Sequence, residues 1–126
     1  MELLVPLNEY ICDKKLSESD VIKLGCDICD ALSLCRKKKI IHRDIKPENI
    51  FVNEFGDYKI GDFGISKQME NLQYSMSQKG SFGYIAPEVM VGDNYDATVD
   101  TYSLGVVMYK ILNNNRLPFW MEKNRY

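Results

Sequence analysis

The sequence predicts a mainly helical α+β domain with one small antiparallel ribbon. Three observations carry that expectation: a helix-period apolar pattern over residues 18–37, two short strand-forming runs at 50–52 and 58–60, and a dense apolar stretch from about 97 to 112.

The first helix has a start signal as well as a period. Ser17 suits an N-cap, and Asp20 three residues on is the acidic half of a relaxed capping box. Val21, Ile22, Ile28, Cys29, Leu32 and Cys35 then fall on helical spacing, with Gly25 and Ala31 between them, which predicts an amphipathic helix. The apolar pair Ile40-Ile41 leads into a polar loop containing Pro47, and a residue before proline is pushed out of the helical region, so Lys46 is expected to be extended. Ile50-Phe51-Val52 and Tyr58-Lys59-Ile60 are strand candidates, and Asn53–Asp57 is a five-residue hairpin connection between them. Residues 66–85 lack a clear period, are rich in Ser, Gln and Gly, and read as a long mobile loop. In the stretch 97–112 the apolar residues lie all round the helix, which predicts a buried one.

Composition narrows the classes of function. With 126 residues the chain is one domain or part of one, and 45% hydrophobic with 27% charged residues is the balance of an ordinary globular protein. A net charge of −2 gives no basic field for nucleic acid. The run Arg36-Lys37-Lys38-Lys39 suits a solvated helix end, where cations complement the helix dipole. No stretch approaches the apolar length of a membrane span, and Met1–Pro6 has no basic start of the signal-peptide kind. Cys26 and Cys29 form a C-x-x-C, but a zinc site needs a second pair, and His42 is the only histidine. The four cysteines, Cys12, Cys26, Cys29 and Cys35, are therefore expected to be buried free thiols in a reducing, cytoplasmic protein.

Three motifs occur in order. His42-Arg43-Asp44-Ile45-Lys46-Pro47-Glu48-Asn49 has the form H-R-D-x-x-x-x-N; thirteen residues beyond Asn49 comes Asp62-Phe63-Gly64; Ala86-Pro87-Glu88 follows. With the hairpin between the first two, this series resembles the catalytic core of the eukaryotic-type serine/threonine protein kinase family, and the resemblance covers essentially the whole chain. It implies the mainly helical large lobe of a protein kinase-like fold, with ATP and Mg2+ as cofactors and a protein substrate. Asp44 then corresponds to the catalytic base, and Lys46 to the lysine that touches the transferred phosphate. The Ile45–Glu48 pattern favours Ser/Thr over Tyr as acceptor. Asn49 and Asp62 correspond to the metal ligands, oxygen donors suited to a hard cation. Backbone groups at Glu2 and Leu4 would meet adenine and Phe51 would lie beneath it, with Val107 and Ile111 below.

The same resemblance implies supporting roles. Arg43 would anchor a phosphorylated loop through charge-assisted hydrogen bonds, with Ser75 and Ser77 as the modified residues. Ser81 would contact the catalytic aspartate and lysine. His42 would stack with Phe63, Glu88 would pair with an arginine, and Asp100 would accept backbone N–H groups of the catalytic loop. Tyr102 stands where the family more often has tryptophan.

The 126 residues contain no G-x-G-x-x-G or V-A-I-K pattern, the phosphate-binding parts of a small lobe. Met1–Leu4 resembles the hinge between lobes, so the expectation is a partial domain over 1–126, running from hinge through catalytic loop, metal-binding triplet and activation segment to a central buried helix. The small lobe is absent and would have to be supplied in cis or in trans, and the chain alone is expected to transfer phosphate poorly. The alternative is a non-catalytic protein-binding module or a relic of a kinase.

Overall fold

The computed structural model describes residues 2–61, 82–90, 92, 95–116 and 118. The expected loop over 66–85 lies mostly outside these residues. The described elements, in order, are strand β1 (Leu4–Pro6), a one-turn helix α1 (Leu7–Tyr10), helix α2 (Glu18–Lys37), a 3-10 turn (Pro47–Asn49), strands β2 (Ile50–Asn53) and β3 (Tyr58–Ile60), a second 3-10 turn (Phe82–Tyr84), short helix α3 (Pro87–Met90) and helix α4 (Thr98–Leu112). A mainly helical α+β unit is thus observed.

Helix α2 begins as its sequence requires. The Asp20 N–H donates to Ser17 Oγ (3.1 Å) and the Ser17 N–H donates to Asp20 Oδ2 (2.9 Å), a full capping box. These bonds hold the Asp20 carboxyl below its usual range, the Ser17 backbone N–H contributing most. At the other end, Arg36 and Lys37 occupy the last turn, where cations meet the exposed carbonyl groups. Val21, Leu24, Gly25, Ile28 and Cys35 are the buried residues of the helix. Ile22 and Cys29, expected on the same face, are exposed. At about 100° per residue they lie on one flank of the strip defined by the buried positions, too far round to reach the core.

The hairpin forms where the alternation places it, with Ile50 opposite Ile60, Phe51 opposite Lys59 and Val52 opposite Tyr58. The loop expected to be a plain connection is capped from inside: Asn53 Oδ1 accepts the N–H groups of Phe55 (3.0 Å) and Asp57 (2.8 Å). Gly56 takes φ +83°, a left-handed conformation in which glycine has no Cβ penalty. The ribbon has a third strand that the sequence did not announce. β1 pairs antiparallel with β2, Leu4 opposite Asn53 and Pro6 opposite Phe51, giving the order β1-β2-β3. Glu2 fastens this edge: its carboxylate accepts from Asn53 Nδ2 (2.8 Å) and Lys59 Nζ (2.9 Å), contacts that hold its carboxyl below the usual range.

The main core gathers Leu7, Leu24, Ile28, Ile45, Ile50, Val52, Tyr58, Leu104 and Val107, so both long helices, the hairpin and α1 share one interior. α2 and α4 approach closely: a Cβ on Gly25 would stand 2.8 Å from Met108 Cε. A smaller cluster of Ile85, Ala86, Val89 and Val99 joins α3 to the start of α4. α4 buries Val99, Asp100, Ser103, Leu104, Val106 and Val107, while Thr101, Gly105, Tyr109 and Leu112 form an exposed stripe. The expectation of a helix buried all round is therefore corrected: the described elements cover one side of it. The cysteine expectation is corrected too. Cys12, Cys26 and Cys29 are exposed, and only Cys35 is buried, its thiol pushed up by desolvation and then by the Asp100 carboxylate. Among the described residues no helix is long and apolar enough to cross a membrane.

Alanine substitutions along α2 test this assignment of faces. Ile28→Ala should cost about 2–5 kcal/mol, as deletion of a fully buried side chain does. Ile22→Ala should change stability by no more than about 0.5 kcal/mol, and Ser17→Ala should cost about 1 kcal/mol through the lost cap. Because the folded Asp20 carboxyl is lowered, its contribution is present above the ordinary carboxylate range and fades as pH falls below it. Urea unfolding at neutral and acid pH checks all four expectations.

Candidate active site

The segment 42–49 is threaded between α4 and the hairpin, and a buried carboxylate fixes its course. Asp100, in the first turn of α4, is 2% exposed, so its charge needs donors. The His42 N–H donates to Oδ2 (2.8 Å) and the Arg43 N–H to Oδ1 (2.9 Å). Arg43 adopts φ +72°, a conformation that costs a non-glycine residue free energy and persists where surroundings impose it. Its guanidinium lies 5.8 Å from the centroid of the Tyr95 ring.

His42 is fully buried and bonded on both ring nitrogens. Nδ1 accepts the Asp44 N–H (3.1 Å), so Nε2 carries the proton and donates to the Gly61 carbonyl (2.6 Å). The imidazole thus joins the catalytic-loop segment to the residue that follows β3. Gly61 in turn donates its N–H to the Asn49 carbonyl (2.9 Å). A Cβ at position 61 would stand 2.5 Å from Phe51 Cε2, so the half-buried Phe51 ring occupies the space of a side chain there. Sequence reading passed over Gly61, although its place just before the Asp62 triplet was the available signal.

Asp44, Lys46 and Asn49 are 4%, 4% and 7% exposed. Asn49 Nδ2 donates to Asp44 Oδ2 (2.9 Å) and to the Asp44 carbonyl (2.8 Å), and Lys46 Nζ stands 3.8 Å from Asp44 Oδ1. Lys46 is extended (φ −159°, ψ 165°), as the following proline requires. That conformation leads into the Pro47–Asn49 turn, which is closed by the Asn49 N–H donating to the Lys46 carbonyl (2.9 Å).

The other expected site residues are distributed as follows. Leu4 lies in β1 and Glu2 just before it, on the open edge of the sheet. Glu88 is half-buried in α3 and forms no ion pair among the described residues. Asp62, Phe63, Ser75, Ser77 and Ser81 lie outside the described residues.

Oxygen chemistry dominates where a cation would be held. Asn49 spends its amide nitrogen on Asp44, which leaves the amide oxygen as the donor to offer, and Asp62 follows the glycine bonded to the Asn49 backbone. A hard divalent cation such as Mg2+ fits such donors, and a thiolate-seeking ion does not.

A helical body with a three-stranded ribbon, and a buried Asp–Lys–Asn loop pinned by a helix carboxylate, defines the helical lobe of a kinase-like fold. The chain belongs to the protein kinase domain family, whose model matches residues 1–126. It is similar to CBL-interacting protein kinase 21 of rice, with 42% identity over 109 residues, covering 83% of this chain and 21% of the relative. It is also similar to Aurora/IPL1-related protein kinase 2 of Caenorhabditis elegans, 41% identical over 100 residues, covering 79% of the chain and 32% of the relative. The carbon catabolite-derepressing protein kinase of Saccharomyces cerevisiae is 40% identical over 115 residues, covering 90% of the chain and 18% of the relative. The chain therefore spans only a fifth to a third of these relatives' lengths.

Replacing Asp100 by Asn should put an N–H donor against a backbone donor in a buried place, at a cost of about 1–3 kcal/mol. Amide hydrogen exchange should quicken at one of His42 and Arg43 before it does in α2, since the asparagine keeps a single acceptor oxygen for their two N–H groups. Uniform protection across the loop in Asp100→Asn would contradict the pinning described above.

Proposed function

We propose that the chain supplies the large-lobe machinery of a serine/threonine protein kinase, transferring the γ-phosphoryl group of ATP to a protein hydroxyl. One observation carries the reading: three polar side chains, Asp44, Lys46 and Asn49, are gathered almost without exposure into one network. Desolvating such groups is costly, and convergence of this kind marks functional sites more than cores.

In this reading Asp44 Oδ1 accepts the proton of the substrate hydroxyl as its oxygen bonds to phosphorus and the bond to the ADP oxygen breaks. Asn49 holds Asp44 from its Oδ2 side, which fixes the direction of the other oxygen. Lys46 lies close enough to share its charge between the base and the phosphoryl group in flight. When bound, Mg2+ neutralises the triphosphate and the charge that develops on transfer, with Asn49 and Asp62 as its holders. Phe51 forms the floor for adenine, and the backbone near Glu2 and Leu4 its rim. By the family correspondence Ser81 would contact Asp44 and Lys46, and Arg43 would receive Ser75 or Ser77 once phosphorylated. By the same correspondence His42 would pack with Phe63, and Glu88 would pair with an arginine. A small lobe, in cis or in trans, covers the phosphates, and the cytoplasm is the setting.

Calorimetry on the 126-residue chain should register binding of Mg-ATP, with the magnesium-dependent part lost in Asp62→Ala. A longer version bearing a small lobe should phosphorylate serine peptides, and Asp44→Asn in it should lower kcat by about 100-fold or more. Undiminished transfer by Asp44→Asn would refute Asp44 as the base. A chain that gives no heat with Mg-ATP would favour the non-catalytic binding module.

A further inference from the structure

The turn between β2 and β3 is held from outside as well as from inside, by two residues that the reading above leaves without a role. Lys23, on α2, donates to Asp27 Oδ2 (2.7 Å), to Asp57 Oδ1 (2.9 Å) and to the Gly56 carbonyl (3.2 Å), and its ammonium lies 5.6 Å from the Tyr58 ring centroid. Asp27 Oδ2 also accepts the Tyr58 N–H (3.1 Å). β3 is an edge strand, so an N–H turned away from β2 has no ladder partner, and the Asp27 carboxylate supplies one. The Asp27 side chain is 27% exposed, partly shielded from competing water. Asp57 is lowered from its usual range, the Lys23 hydrogen bond first among the causes, and Lys23 is raised by its bonds to Asp27 and Asp57.

The far end of β3 is tied to the site. After Ile60 comes Gly61, which takes the His42 Nε2 proton on its carbonyl and gives its N–H to Asn49. β3 is thus a three-residue beam clamped by α2 at Tyr58 and by the catalytic loop at Gly61. α2 also packs on α4, whose Asp100 holds that same loop, so the two clamps share one frame.

We infer that Asp27 and Lys23 are positioning residues: from the surface of α2 they fix the start of β3 and thereby the placement of Gly61 against Asn49. This rests on the reading of Asn49 as a metal ligand, so the experiment separates the two. On the full 126-residue chain, ATP affinity is measured by calorimetry with and without magnesium, and the ratio of the two is the readout. Asp27→Ala and Lys23→Met should lower that ratio about 10-fold, the scale on which outer partners of metal ligands act. Lys23→Arg, which keeps cation and reach, should hold the ratio near that of the parent. Circular dichroism melting of each variant records stability separately. A variant that melts earlier yet keeps its ratio is merely structural and overturns the inference. An unchanged ratio in Asp27→Ala and Lys23→Met, alongside a collapsed one in Asn49→Ala, also overturns the inference and leaves the metal reading standing. If Asn49→Ala keeps the parent ratio, or the parent shows no magnesium dependence, both fall.

Discussion

The buried carboxylate of Asp100 is the constraint on which the rest of the site depends. A charge that is 2% exposed has few acceptable surroundings, and here the two consecutive N–H groups of His42 and Arg43 provide them. Those two bonds dictate where the loop leaves α4. His42 then reaches the end of the hairpin, and the Asp44 N–H returns to the imidazole. The arrangement of Asp44, Lys46 and Asn49 is downstream of this anchorage. Even the unfavourable φ of Arg43 follows, because both its N–H and that of its neighbour must face the same carboxylate.

Apolar packing supplies the frame and polar contacts supply the register. Ile28, Ile50, Val52 and Val107 belong to one interior, and burial of that kind is strong but non-directional. Direction comes from Asp27 on Tyr58, Asn53 within the turn, Glu2 across Asn53 and Lys59, and Ser103 on the Tyr84 carbonyl. Each of these fixes an edge or a turn that hydrophobic contact alone would leave free to slide.

What was legible in the sequence was local or periodic. The capping box at Ser17 and Asp20, the helix 18–37 and the two hairpin strands need only neighbours along the chain, and they form where the pattern places them. Asp44, Lys46 and Asn49 were singled out through the resemblance of residues 42–49 to a kinase catalytic loop, and they do meet; Asp62 lies beyond the described residues. β1 was missed because three residues ending in proline carry almost no alternation, and a partner 45 to 49 residues away in sequence creates the strand. The outward turn of Ile22 and Cys29 was missed because apolar residues flanking a buried strip match the same period. The Lys23 and Asp27 contacts with the hairpin turn were illegible for a different reason: they join residues about thirty positions apart, and a charged pair on a helix looks the same whether it faces solvent or a turn.

The conformation at position 43 sets two demands in opposition. With φ at +72° the backbone there would be more comfortable as glycine, which loses nothing in the left-handed region. The guanidinium beside Tyr95 requires a long cationic side chain. A library sorted for thermal resilience alone would therefore drift toward glycine at this position and discard the cation. Sorting on the phosphate recognition proposed for Arg43 would hold the arginine and accept a softer loop, so under that proposal the two selections should diverge at this one residue.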